Sequence, residues 1–299
     1  MSFHHKLLII TRPIQKVARK IGCKLGFISQ NRLRVLLYHD VPIDEEEVFY
    51  NQLVWLKKDW NIITPLKFEK MMSGMIPIIG NNLLITFDDG MQSNKVVAEK
   101  ILNPMGIKAI FFIISEFAKI KKLSEARKFV SDSIIPGSEV NEIPNNWNNL
   151  QWLDLEALIR QGHTIGSHTK THKRLSECNS LTELEEEVIL SSKEIEFNLN
   201  ITVKHFAYTF GDIDSFSKEA LLLASSKFGF IHSGIRGNNI NYTSPRAIRR
   251  DAAAGQLLNN EYKIFNNNLL DAFLDGFGDF RYIFPRRKLD SWAQKILND

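Results

Sequence analysis

The chain has 299 residues, with 38 Lys and Arg against 34 Asp and Glu, a net charge of +4 and only two cysteines. That length suits one α/β barrel with a short appendage and needs no disulfide staple, so Cys23 and Cys178 read as free thiols of a reduced compartment. The uncharged apolar runs are far shorter than the roughly 18 residues of a membrane span, and no secretory signal pattern is expected at the start.

The first segment, residues 1–31, is a basic arm. Residues 1–34 hold Lys6, Arg12, Lys16, Arg19, Lys20, Lys24, Arg32 and Arg34 and no acid, so they carry +8 and the rest carries −4. On a helix, Leu7, Ile10, Ile14, Val17, Ile21 and Leu25 share one face, with the basic residues beside it. Such a stripe either meets an anionic membrane surface or packs on the rest of the protein. Nucleic acid is not expected, because the arm has no interleaved aromatics and the body is slightly acidic. Residues 34–38 then read as a strand. Residues 49–72 hold a helix, a short strand near 62–64 and a helix opening at Pro65. Residues 83–87 form a short, continuous apolar run, the pattern of a strand buried on both faces of a parallel sheet.

That run ends in Asp88-Asp89-Gly90. Two acids directly after a core strand sit at the end of a sheet where α/β barrels place their chemistry, and Gly90 permits the turn that brings both to one pocket. A helix at 94–102 and a strand at 107–114 follow. Residues 118–150, rich in Lys, Ser and Asn, read as an insertion at the rim. A helix at 153–161 leads to a strand ending at Ser167, and then His168 and His172 stand four residues apart. That spacing puts both on one face of a helix or a wide turn. One or two carboxylates and two imidazoles are the ligand mix of a catalytic divalent metal with open positions. His163 and His205 read as structural histidines, and His4 and His5 belong to the arm. Ser180 with Glu183 signals a capping box for a helix reaching about residue 198. Strands at 204–208 and 228–232 flank a helix at 216–226, Asn266-Asn267-Asn268 marks a loop, and 286–299 is a helix or tail. The strand–helix rhythm supports a parallel α/β barrel over residues 32–285.

Thr86-Phe87-Asp88-Asp89-Gly90 and His168-Thr169-Lys170-Thr171-His172, in this order, resemble the first two motifs of the polysaccharide deacetylase family, the NodB-homology enzymes of carbohydrate esterase family 4. Residues 37–41, 108–112 and 152–175 are similar to its flanking stretches, and the resemblance spans residues 33–250. It implies a distorted (β/α) barrel, Asp89, His168 and His172 as metal ligands, and Asp88 as the base. The third motif reads Phe206-Ala207-Tyr208-Thr209-Phe210-Gly211, with Ala207 where the family has the arginine that orients the base. Arg246 or Arg249 is expected to bring that charge from a later strand, with Arg246 carried as the candidate. Tyr208 and Gly211, with His39, are expected to bind substrate, and a backbone N–H near Tyr208 to hold the oxyanion. The family's late Leu-x-His motif is missing, which leaves His232 and His39 as candidate acids. The expected activity is hydrolysis of an N-acyl, typically N-acetyl, group on an amino sugar in a glycan or lipid-linked saccharide. Zinc is the default metal, with cobalt, nickel, iron or manganese also compatible. A deformylase-type hydrolase, a non-catalytic carbohydrate-binding relative and a membrane-surface scaffold are the competing readings. The expected location is cytoplasmic, peripheral at the inner face of the plasma membrane.

Overall fold

The computed structural model describes residues 3–27, 29–240, 243–252, 258–259 and 264–298. The apolar run forms strand β3 (Asn81–Phe87), and its neighbour β1 (Arg32–Tyr38) pairs with it in parallel along its whole length. Between them lie α2 (Glu46–Asp59), β2 (Asn61–Ile62) and α3 (Pro65–Met72). Thr64 caps α3 by accepting the Lys67 N–H, and Pro65 fills the first helical position, where its missing donor costs nothing. The segment read as a strand near 62–64 therefore yields its last residue to a helix cap. After β3 come α4 (Ser93–Val97), β4 (Ile110–Ile113), α5 (Ser115–Lys119), α6 (Leu123–Phe129), α7 (Trp152–Arg160) and β5 (Thr164–Ser167). Then follow α8 (Leu181–Glu185), α9 (Ser191–Leu199), β6 (His205–Ala207), α10 (Lys218–Lys227), β7 (Phe230–His232) and β8 (Asp251–Ala252). Ser180 accepts the Glu183 N–H as expected, but the Glu183 carboxylate binds the Asn179 N–H and Lys173, so only half of the capping box forms.

The sheet runs β7-β6-β5-β4-β3-β1-β8, all parallel, with β2 also on β3. The path curls into a distorted barrel, because the stretch after β7 bridges its two ends. Ile248 exchanges hydrogen bonds with Ile231 and Ser233 beside β7, and three residues later β8 pairs with β1. Side chains alternate across the curl. Leu33, Val35, Leu84, Ile110, Phe112, Ala207 and Ile248 fill the inside, where Phe68, Met71 and Met72 of α3 join them. Leu36, Leu83, Ile85, Phe87 and Phe111 face the outer helices.

Residues 118–150 are more than a polar loop. Phe117, Ala126, Val130 and Ile143 bury against Met91 in a small core of their own. The loop expected at 266–268 is a helix start: Asn266 accepts the Leu269 N–H and caps α11 (Asn267–Leu274). The chain ends in α12 (Ile283–Asn298).

The basic arm is a helix, α1 (Phe3–Lys24). Its contact with the body is polar: Arg12, 3% exposed, binds Asp271 and Asp275. The stripe of Ile10, Ile14, Val17, Ile21 and Leu25 does not pack on the barrel; these residues are 53–74% exposed. Leu7 lies outside the described side chains.

Candidate active site

Both key segments meet at the C-terminal end of the sheet. β3 stops at Phe87, and the Asp88 N–H donates to the Tyr38 carbonyl at 2.8 Å, prolonging the ladder by one residue. Alternation then turns Asp88 inward, in line with Leu84 and Thr86. Asp89 reaches the same pocket only because its own backbone is left-handed, with φ of 71°, before Gly90 at 82°. Thr169 and His172 at 65° and Phe210 at 61° are left-handed as well. Such backbone costs roughly 1–2 kcal/mol at a non-glycine residue and tends to collect at functional sites.

His168 follows β5 directly, and its N–H donates to the Ile113 carbonyl at 2.9 Å. Its Nδ1 donates to the Ala207 carbonyl at 2.9 Å, and His172 Nδ1 donates to the Ser133 carbonyl at 2.8 Å. Those two bonds set the tautomers and leave both Nε2 lone pairs free. The Nε2 atoms lie 3.4 and 3.5 Å from Asp89 Oδ1. Asp89 Oδ1 is buried and has no hydrogen-bond donor among the described residues. Two imidazole nitrogens and a carboxylate oxygen turned on one another, too far apart to hydrogen-bond well, form a set of donor atoms suited to a cation. Ligands at about 2.1 Å around a tetrahedral ion lie about 3.4 Å apart, which these separations match. The residues present therefore fit a divalent metal.

The loop between the histidines is a wide turn. Glu187 holds it by accepting the Lys170 and Thr171 N–H groups and the Thr171 hydroxyl, at 2.7–3.0 Å. Glu187 sits on a π turn, Glu186–Leu190, that joins α8 to α9. Such widened turns often serve functional sites. Ser191 adds a bond to the Thr169 carbonyl at 2.7 Å.

Asp88 accepts two hydrogen bonds from one guanidinium, that of Arg250, at 2.7 and 2.9 Å. Arg250 is fully buried, donates through Nε to the Ser233 carbonyl and lies over the Phe112 ring. The charge missing at Ala207 thus comes from Arg250, not from Arg246. Arg249 points the other way, to Asp290, and the Arg246 backbone turns on Ser244. Burial alone would push the Asp89 carboxyl up, but His168, His39 and His172 hold it below the usual carboxylate range. Burial likewise lowers His172, whereas Asp88 and Asp89 outweigh burial at His168 and raise it.

A pocket of about 340 Å³ opens over these groups, with His39, Trp147, Tyr208, Phe210 and Gly211 in its walls. His39 is solvent-exposed at the rim. His232 is not at the pocket: it is fully buried beneath, 3.1 Å from His205, which in turn meets Glu69. The Tyr208 N–H is spent on the His232 carbonyl at 3.0 Å, so it is not free for an oxyanion. His163 accepts the Ala109 N–H and is structural. Glu187 and Ser133 had no sequence signal. Arg250 had one, the pair Arg249-Arg250, but only its parity relative to β8 selects the inward member.

A family model described as polysaccharide deacetylase matches residues 79–229. No curated protein matches the chain in sequence. Among solved structures it is similar to IcaB from Ammonifex degensii, with a TM-score of 0.60 and 19% identity over 88% of this chain and 97% of that one. It is also similar to the Streptococcus pyogenes deacetylase PplD in complex with acetate (0.59, 16%, 77% and 95%). The BpsB deacetylase domain from Bordetella bronchiseptica is alike to the same degree (0.59, 17%, 75% and 96%). At these identities the likeness is one of fold.

Proposed function

The chain belongs to the polysaccharide deacetylase family, hydrolases of carbon–nitrogen bonds in acylated sugars, and on that premise we propose that it removes an N-acetyl group from an amino sugar in a glycan or lipid-linked saccharide with the help of one divalent metal. The observation that carries this reading is the meeting of Asp89, His168 and His172 beside an Asp88 clamped by Arg250. Asp89, His168 and His172 would hold the ion; zinc suits the donor set, and cobalt, nickel, iron or manganese are compatible. A bound divalent ion supplies a Lewis acid that polarises the acyl carbonyl and acidifies water.

Asp88 takes the proton of the attacking water. Arg250 binds both carboxylate oxygens and so fixes the orientation of the lone pair that receives the proton. His39, at the open rim, is the group placed to protonate the leaving amine, a role that full burial denies His232. Tyr208 and Gly211 shape the wall against the sugar. The products are a free amino sugar and acetate. Arg250 also favours this reading over a non-catalytic carbohydrate-binding relative, since it restores the charge that Ala207 lacks. No helix among the described residues is long and apolar enough to cross a membrane. The exposed stripe and cations of residues 1–31 suit an anionic membrane surface, with the enzyme peripheral at the cytoplasmic face.

The test is Asp88→Asn assayed on N-acetylated oligosaccharides. It should keep its metal and fold and lose most turnover, because an amide cannot take the proton. Loss of metal instead would make Asp88 a ligand and reverse the roles of the pair. Release of formate rather than acetate would mark a deformylase.

A further inference from the structure

We propose that the cleft between α1 and the N-terminal rim of the barrel binds the phosphate headgroup of an anionic phospholipid, with the outer face of α1 lying in the bilayer surface. This rests on the membrane placement just described and is independent of the chemistry in the catalytic pocket.

The cleft measures about 520 Å³, and Lys16, Arg19, Lys20, Lys24, Arg32 and Trp60 line it. Five cations there face three acids, Asp59, Asp271 and Asp275, which leaves the cleft at +2. Lys16, Arg19 and Arg32 are tied to Asp271 or Asp275 and are held in place by them. Lys20 and Lys24 are exposed and meet no acid among the described residues, so their charge is available to a ligand. Trp60 gives an independent pointer. It is 4% exposed, its ring lies 4.4 Å under the Arg32 guanidinium, and its indole N–H is buried without an acceptor. A buried donor with no acceptor is costly, and a phosphate oxygen would satisfy it beside the cations.

The same helix supplies the apolar half of a lipid site. Arg12 holds one side of α1 to α11, which leaves Ile10, Ile14, Val17, Ile21 and Leu25 facing out. An apolar stripe flanked by lysines is the pattern of a helix lying in the plane of an anionic interface. Unpaired cations next to that stripe complement a phosphodiester and not a neutral headgroup.

Position gives the proposal a consequence. Arg32 and Asn81, the first residues of β1 and β3, line the cleft, while Asp88 and Asp89 follow the other end of β3. Seven residues of strand put about 20 Å between them. The anchoring lipid is therefore not the substrate, and the pocket receives a sugar that stands away from the bilayer.

The full chain is sedimented with phosphatidylcholine vesicles, with and without phosphatidylglycerol. Binding should require phosphatidylglycerol and weaken with added salt. K20E/K24E should weaken it at least about 10-fold, whereas K193E/K218E, on distant helices, should not. Trp60→Phe, which keeps the ring and loses the donor, should weaken it a few-fold. I14N/V17N should abolish it, and this variant decides the matter if K20E/K24E folds poorly, since both side chains point to solvent. All variants should hydrolyse a soluble N-acetylated oligosaccharide like the parent, so failed binding and failed catalysis are read apart. Equal pelleting on both vesicle types, or K20E/K24E binding like the parent, overturns the proposal. So does binding of free glycerol phosphate that is as tight as binding to vesicles and indifferent to I14N/V17N.

Discussion

Asp88 and Arg250 lie 162 residues apart in sequence and form a buried ion pair. Removing one partner of such a pair strands the other, typically at about 3–5 kcal/mol. Arg250→Leu is therefore expected to lower stability in urea unfolding and to depress kcat, while metal content stays near the parent's, because Asp89, His168 and His172 are untouched. Full turnover in this variant would remove Arg250 from the mechanism. Gly211 is a second sensitive residue. Its φ is 72°, and a Cβ there would stand 2.6 Å from the Gly234 nitrogen. Left-handed strain and overpacking together predict a loss of roughly 2–5 kcal/mol for Gly211→Ala, readable as a lower urea midpoint.

At the scale of elements, loops between strands do the positioning. The turn after β5 depends on Glu187 from the α8–α9 joint, and His172 depends on a carbonyl from the segment after α6. Glu187→Leu should loosen the turn and lower metal affinity by about 10-fold or more, the usual scale for groups that orient ligands. Titration with zinc against a chelator measures it. The joint between β4 and β5 carries a pH response of its own. Burial, with Lys108 nearby, lowers His163 to about 4. The folded protein keeps this ring neutral, whereas the unfolded chain protonates it at about 6.5. Unfolding thus takes up a proton in that window, so the stability from a neutral His163 is complete above about pH 6.5 and is lost as the pH falls toward 4. His163→Gln should flatten this part of the urea-midpoint profile against pH.

At the scale of the whole molecule, the barrel stands on apolar packing inside and outside the sheet, and the candidate metal site sits at one end of it. Chelation is accordingly expected to abolish activity without unfolding the protein. The free energy of unfolding should fall only by the ligand-binding increment, about 2.7 kcal/mol at a free metal concentration 100 times Kd, with a correspondingly lower melting temperature. A chelated protein without cooperative unfolding would mean that the ion builds the fold.

Much of this was readable locally. A continuous apolar run followed by Asp88-Asp89-Gly90, and two histidines after Ser167, are contiguous patterns, and contiguous residues keep their spacing in any fold that makes those strands. Caps at Thr64 and Ser180 were legible for the same reason, since a cap needs only its own first turn. The stripe on α1 was legible as a stripe. Its direction was not, because that depends on Arg12 finding Asp271 and Asp275 on a helix more than 250 residues away. The choice among Arg246, Arg249 and Arg250 was likewise tertiary. Each has the same charge and reach, and only the alternation set by β8 pairing with β1 turns Arg250 toward Asp88. His232 lies away from the pocket for a related reason: the curl of β7 carries it inside the barrel. Sequence determined which chemical groups this protein owns and the short-range order in which they come. The closing of the sheet decided which of them share a pocket, because distances between far segments are fixed by strand register and core packing, not by spacing along the chain.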